Sequence, residues 1–320
     1  MEEILKPNND KYTIFPIKYP NLWKLYEEHV ASFWTSGDID FKADDKDWES
    51  LEEPEKIFIL NILAFFAGSD GIVLENLMGN FGNEVQISEA RSFYSIQGAI
   101  ETIHGEVYSR LIEAYARSEK EKNDLFRAIE NMPIVAKKSK WATEFMDSDT
   151  KSFPERLVAF AVVEGIFFSG SFCAIYWLKS KNKMVRTLGT SNELIARDEA
   201  LHTRFAIELY SHLVNKLSQN DIEKIVRPAV AIEVEFICKS IRCPMIGMNE
   251  SLMSKYVKFC ADRLLLQLGY KKIYNTKNPF PFMDAVGLGG KTNFFEKRTT
   301  EYQLASAVSG KITYEVSTDF

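Results

Sequence analysis

The sequence predicts an all-α protein: a four-helix core elaborated with additional helices. Three observations carry that expectation. Four stretches repeat apolar residues at the three- and four-residue steps of a helix, each of them turns one carboxylate into its apolar stripe, and little of the chain reads as strand. With 320 residues, 46% of them hydrophobic, and no long polar or low-complexity linker, the chain can bury a large core. Residues 1–290 read as one domain with an N-terminal arm, and residues 291–320 as a C-terminal segment.

Taken in order, Pro20 precedes an amphipathic run to Trp34, and Pro54 suits the first turn of a helix running past Leu77. In that second helix Leu63, Phe66, Asp70, Val73 and Leu77 share one face. A third helix, from about Val85 to Arg117, aligns Gln97, Glu101, His104, Tyr108, Leu111 and Tyr115. Pro154 opens an apolar helix with Leu157, Phe160, Glu164, Phe167 and Ser171 in register. Ser191 is placed to cap a helix that aligns Ile195, Glu199, His202, Ala206 and Leu209, and Ser218 with Asp221 resembles a capping box. From Gly287 the pattern weakens, and Ser306 to Phe320 has no stripe, which predicts a mobile tail.

Two words stand out, Glu101-Thr-Ile-His104 and Glu199-Ala-Leu-His202. Each sets a carboxylate and an imidazole one turn apart on the same face, a metal-ligand spacing. Asp70 and Glu164 add one inward carboxylate each. Unpaired buried carboxylates cost several kcal/mol, and four of them with two imidazoles suit a pair of cations better than one. One carboxylate from each of two helices, with Glu-x-x-His from each of two others, is the ligand pattern of ferritin-like di-iron or di-manganese bundles. The oxygen-rich donor set favours iron or manganese over zinc. The donor set does not separate iron from manganese.

The net charge is −6, and the basic clusters Lys179 to Arg186 and Lys137 to Lys140 are short and read as solvated loops, so nucleic-acid binding is not indicated. The four cysteines form no C-x-x-C pair, and the start of the chain has no basic region leading into an apolar run, so a reduced, intracellular, cytoplasmic protein is expected. Leu157 to Leu178 is long enough to span a bilayer, with Glu164 its only charge. A helix buried on all sides of a bundle explains both the apolar surface and that carboxylate, and no membrane association is expected.

Tyr108 follows His104 by four residues on the inward stripe, about one turn from the metals. A buried phenol beside an O2-activating centre can lose one electron, and Phe168, Phe172 and Ile195 are candidates for a dry pocket around it. A core tyrosine with one hydrogen bond is the simpler role for the same residue.

At this point the chain resembles the small, radical-bearing subunit of class I ribonucleotide reductase, of the eukaryotic and large-DNA-virus type. The resemblance rests on Ala-Ser-Phe-Trp34, Ala64-Phe-Phe-Ala-Gly-Ser-Asp70-Gly-Ile-Val, Glu101-Thr-Ile-His104-Gly-Glu-Val-Tyr108 and Val163-Glu164-Gly-Ile-Phe-Phe-Ser-Gly-Ser-Phe172. Ser191-Asn-Glu-Leu-Ile-Ala-Arg-Asp198-Glu199-Ala-Leu-His202 and Gly290-Lys-Thr-Asn-Phe-Phe-Glu-Lys-Arg298 extend it from about Pro16 to Tyr302. It implies that Asp70, Glu101 and His104 hold one iron and that Glu164, Glu199 and His202 complete the pair. Tyr108 would carry the radical, Trp34 and Asp198 would link His104 toward the surface, and Tyr302 would relay oxidation to a large subunit. That partner would hold the nucleotide and reduce it to the deoxyribonucleotide needed for DNA replication. The end Tyr314-Glu-Val-Ser-Thr-Asp-Phe320 looks like the family's docking peptide, with Tyr314, Val316, Asp319 and Phe320 as its contacts. A homodimer is implied by the resemblance alone.

The segment between Glu164 and Glu199 looks one residue longer than in relatives, and Ala200 stands at a usual glycine, yet neither removes a ligand. An N-terminal extension common in cellular relatives is missing, which fits a viral or otherwise compact form. Another ferritin-like di-iron oxidase, either a ferroxidase or a substrate-oxidising relative, is the alternative, and would show an accessible substrate cavity at the metals and a dispensable tail. A structural helical partner without chemistry is the third reading, against which all six ligands stand.

Overall fold

A computed structural model describes residues 2–283 of the chain, and among these every regular element is helical. Residues 1–280 form one compact unit; a second comprises residues 281–320, of which the described part is a single turn, Pro281–Met283. The expected boundary at 290/291, Tyr302 and the terminal peptide lie outside the described residues.

The first long helix, α1 (Pro20–Ala31), starts on Pro20, whose fixed φ suits the first turn, and buries Leu22, Leu25 and His29. It stops three residues short of Trp34. Helix α2 (Glu53–Asn76) has Pro54 in its first turn and a capping box in which Glu52 and Glu55 satisfy each other's backbone N–H groups. A π turn, Leu77–Phe81, continues it, and α3 (Ser88–Tyr115) returns along its side. Helices α4 (Glu119–Phe126) and α5 (Pro133–Glu144) occupy the long gap between Glu101 and Glu164, where the sequence leaves room for extra helices and a crossover.

Helix α6 (Phe153–Val162) begins at a capping box between Ser152 and Glu155. The expected unbroken helix from Leu157 to Leu178 is interrupted: a π turn, Val163–Phe167, separates α6 from α7 (Ser169–Ser180). The following helix, α8 (Thr190–Ser211), grows out of another π turn, Val185–Gly189, so Ser191 lies buried inside it and does not cap it. Ser191 Oγ instead donates to the Leu188 carbonyl at 3.2 Å. Helix α9 (Gln219–Val234) is capped by Ser218, which accepts from the Asp221 N–H as the capping-box reading expects, and α10 (Glu250–Gln267) by Asn249.

Helices α2 and α3 pair along their length, α6 packs on α8 and α9, and α1 lies across α3 and α8. The four ligand-bearing segments thus face one another across one core. By length and composition, residues 53–84 and 153–180 are each apolar enough to cross a membrane; 94% of the apolar window in the second is buried inside the protein. The Lys137 to Lys140 cluster is not a solvated loop. It lies in α5, and while Lys140 stays exposed, Lys138 is 1% exposed, because a cage of aromatic rings and a carboxylate receives its ammonium.

Candidate metal centre

All six carboxylates and imidazoles singled out from the sequence are buried, none more than 4% exposed. Asp70 comes from α2, Glu101 and His104 from successive turns of α3, Glu164 from the π turn after α6, and Glu199 and His202 from successive turns of α8. Glu101, Glu164, Glu199 and His202 each offer a ligand atom within 4.8 Å of the others. His202 Nδ1 is 3.0 Å from Glu101 Oε1 and 3.0 Å from Glu199 Oε2. His104 Nδ1 is 3.2 Å from Glu199 Oε1 and 3.4 Å from Glu101 Oε2. Both imidazoles therefore turn Nδ1 inward. Glu164 sits on backbone that a π insertion has re-aimed, a device common where one side chain must be redirected into a site.

Without a cation this arrangement is unfavourable. Both oxygens of Asp70 and one each of Glu101 and Glu164 are buried with no hydrogen-bond partner, although buried polar atoms are almost always paired. Burial, then the charge of Glu101, holds the Asp70 carboxyl well above the usual range, and burial, then Glu199, does the same to Glu164. Burial also pushes Glu199 up, but hydrogen bonds to Glu164, His104 and His202 outweigh it and hold Glu199 well below its ordinary value. His202 is pushed up to about 9, Glu101 and Glu199 overcoming the effect of burial. Clustered acids forced to keep protons and imidazoles forced to take them are groups standing in for missing positive charge. Four orphaned oxygens from three carboxylates, with Glu199 and two inward nitrogens beside them, fit two oxygen-preferring cations of the iron or manganese type.

The surrounding shell ties down these ligands. His104 Nε2 is 3.2 Å from Asp198 Oδ2, which also accepts from Trp34 Nε1 at 2.7 Å. Burial would push Asp198 up, yet His104, Arg197 and Trp34 outweigh it and hold the carboxyl below its ordinary range. Arg197 bridges from Asp198 Oδ1, at 2.9 Å, to the Ser32 carbonyl, at 2.7 Å. Gln97 reaches Glu164 Oε1 at 3.3 Å and Glu101 Oε1 at 3.4 Å.

Tyr108 is completely buried, and its ring stacks on Phe66 with centroids 4.5 Å apart. Phe168 and Phe172, expected around it, pack on that same Phe66 at 5.5 and 5.1 Å. The phenol donates to Asn192 Oδ1 at 3.2 Å, while the Asn192 amide nitrogen is spent on the Leu188 carbonyl. Burial, then Asp70, keeps the phenol well above its ordinary pKa and so neutral.

Sequence reasoning missed two of these neighbours. Asn192 lies three residues before Ile195 on the stripe of α8, and His29 follows Leu22 and Leu25 at steps of three and four on α1. Both carry the stripe signal that identified Asp70.

Comparison with known proteins agrees with this geometry. The family model "Ribonucleotide reductase, small chain" matches residues 11–279. A ribonucleoside-diphosphate reductase small chain from Nicotiana tabacum is 54% identical over 96% of this chain and 93% of its own length. One from Trypanosoma brucei brucei is also 54% identical, over 98% and 93%. Among solved structures, a ribonucleotide reductase homodimer from Saccharomyces cerevisiae superposes with a TM-score of 0.83 at 37% identity, covering 94% of this chain and 93% of that one. A dimanganese(II) protein from Streptococcus sanguinis shares the fold, at TM-score 0.74 and 17% identity, over 88% of this chain and 98% of its own. By a family model matched over most of its length and relatives 54% identical, the chain belongs to the ribonucleotide reductase small-chain family.

Proposed function

We propose that the chain is the radical-generating small subunit of a ribonucleoside-diphosphate reductase, holding two iron ions through Asp70, Glu101, His104, Glu164, Glu199 and His202 and a radical on Tyr108. When bound, a reduced metal pair supplies electrons to O2 and from it a one-electron oxidant. The protein's part is to place one oxidisable phenol about a turn from the ligands and to keep it dry. The observation that carries the reading is the environment of Tyr108: its ring lies flat on Phe66 and its hydroxyl meets a neutral amide. Asn192 Oδ1 accepts the phenol O–H at 3.2 Å and holds the hydroxyl in place, while the proton released with the electron would need a basic acceptor at the metal centre. Fully buried and covered by Phe66, the oxidised ring would be shielded from reductants in solution.

Trp34, Asp198 and His104 form a hydrogen-bonded line from α8 and α3 toward the start of the chain, the route by which oxidation would reach the outside. Tyr302 and the terminal residues Tyr314, Val316, Asp319 and Phe320 would continue it and dock the large subunit, which holds the nucleotide. The Saccharomyces cerevisiae relative is a homodimer, and the same assembly is proposed here, in the cytoplasm where the deoxyribonucleotide precursors of DNA are made.

Loading with Fe(II) without air, followed by O2, tests the reading by EPR and optical spectra on the parent and on Tyr108→Phe. A tyrosyl signal in the parent and none in the variant, with equal iron in both, is the expected result. A phenylalanine fills the same ring space without the oxidisable hydroxyl. Iron uptake with no radical in either would move the reading to another di-iron oxidase.

A further inference from the structure

The two imidazoles of the centre are backed by different chemistry. Behind His104 stands the Asp198 carboxylate, itself tied to Trp34 and Arg197. Behind His202 stands another imidazole: His29 Nε2 is 3.0 Å from His202 Nε2, with both rings completely buried. His29 leaves α1 toward the core, packs its ring 5.3 Å from that of Phe93, and keeps its other nitrogen, Nδ1, buried with no partner. A half-satisfied polar ring in an apolar contact is a poor choice for packing, so its one hydrogen bond is the reason to look for a role.

We propose that His29 is a positioning residue that accepts a hydrogen bond from His202 Nε2, orienting that ligand for its metal and making it the weaker donor of the two imidazoles. The inference rests on the reading of the centre as a dimetal site. His202 Nδ1 faces Glu101 and Glu199, so it is the nitrogen that offers a lone pair to the cation. The ring proton must then sit on Nε2, so Nε2 of the buried His29, 3.0 Å away, must meet it with a lone pair, which makes His29 the neutral tautomer. Two ring nitrogens can share one hydrogen bond in only one sense once ligation has assigned the donor. A carboxylate behind a ligating imidazole draws on its N–H and raises its basicity, whereas a neutral imidazole orients the ring and draws less. The metal on the His104 side is therefore held by the more electron-rich ring. The two sites should fill unequally, the His202 side last.

Anaerobic Fe(II) binding to the full chain tests this without recourse to activity. The parent should take up two equivalents in unequal steps. His29→Phe keeps a ring against Phe93 but removes the acceptor, and should leave the first step alone while weakening the second by about 10- to 100-fold. His29→Gln, whose amide oxygen can stand where Nε2 stands, should retain both. Should the Phe variant fail to fold, as judged by circular dichroism of the metal-free protein, His29→Ala with and without added imidazole takes its place, and imidazole should restore the second step. Parental binding by His29→Phe, a His29→Gln variant as weak as it, or no rescue by imidazole would overturn the proposal for His29 alone. Failure of the parent to bind two equivalents would instead remove the dimetal reading and this inference with it.

Discussion

Lys138 offers the sharpest test of how the fold holds the centre. Its ammonium is 2.6 Å from Glu233 Oε2 and 2.7 Å from the Phe167 carbonyl, and it lies 3.5 and 3.8 Å from the ring centroids of Phe65 and Phe236. Phe167 closes the π turn that carries Glu164, so the same cation neutralises a buried acid and satisfies the carbonyl of the turn that aims a ligand. Glu233 Oε1 in turn accepts from the Gly170 N–H, and a Cβ on Gly170 would collide with it. Lys138→Met leaves the Glu233 carboxyl buried without its cation and the Phe167 carbonyl without its donor. Breaking a buried pair in this way costs about 3–5 kcal/mol, a large share of a domain stability of about 5–15 kcal/mol. The double variant Lys138→Met with Glu233→Gln removes both charges, keeps an acceptor for Gly170, and places a thioether between the rings. It should recover most of that loss, since replacing a whole buried pair is often neutral, the remainder being the Phe167 carbonyl left without its donor, about 1–3 kcal/mol. Urea unfolding of the metal-free protein measures all three. The ionised pair also leaves a signature in pH. Burial raises Glu233 to about 7 despite Lys138, and burial lowers Lys138 to about 8 despite Glu233. The folded state holds the extra proton on Glu233, so its contribution falls as pH rises from the ordinary carboxyl range toward 7. Lys138 sheds its proton early in the folded state, so stability recovers as pH climbs past about 8. A shallow minimum between those values should vanish in the double variant. A double variant as unstable as Lys138→Met alone would refute the reasoning.

Metal binding should be proton-linked. Asp70 and Glu164 are held up by burial and by neighbouring charge, and His202 is held up to about 9 by Glu101 and Glu199 against burial. These raised values mean that the metal-free fold is favoured by the protonated forms and loses that contribution as pH rises, while cations must displace the same protons, so Fe(II) affinity rises with pH. Calorimetry in buffers of different ionisation enthalpy should register net proton release per chain, and none at neutral pH would contradict the electrostatic account. Deleting residues 314–320 should spare iron and radical while abolishing reductase activity reconstituted with the large subunit. Tyr302→Phe should do the same without weakening the association measured by sedimentation. Full activity in either variant would remove the roles assigned to the tail.

The parts of this molecule that were legible in the sequence were those in which a residue contradicts its surroundings. A carboxylate in an apolar helical stripe is anomalous on energetic grounds alone, and that anomaly placed Asp70, Glu101, Glu164 and Glu199 on four inward faces before any coordinates. His29 and Asn192 carry the same signal in weaker form, because an imidazole or an amide in a stripe has several ordinary uses as a hydrogen-bonded core residue. Only the partner across the core, His202 for one and Tyr108 for the other, separates these uses. The π turn at Val163–Phe167 was not legible at all. In a segment buried on every side, a slip of one residue exchanges apolar positions for apolar positions and leaves the pattern unchanged. Lys138 was misread for the opposite reason: its neighbours Lys137 and Lys140 made the cluster look solvated, while Glu233, the residue that makes its burial possible, lies 95 positions further along the chain. Periodicity reports which residues face inward on one helix, and what remains hidden is the long-range pairing that decides whether an inward charge is tolerated. Here that pairing is also what positions a ligand, since the cation that neutralises Glu233 is the one that holds the turn of Glu164.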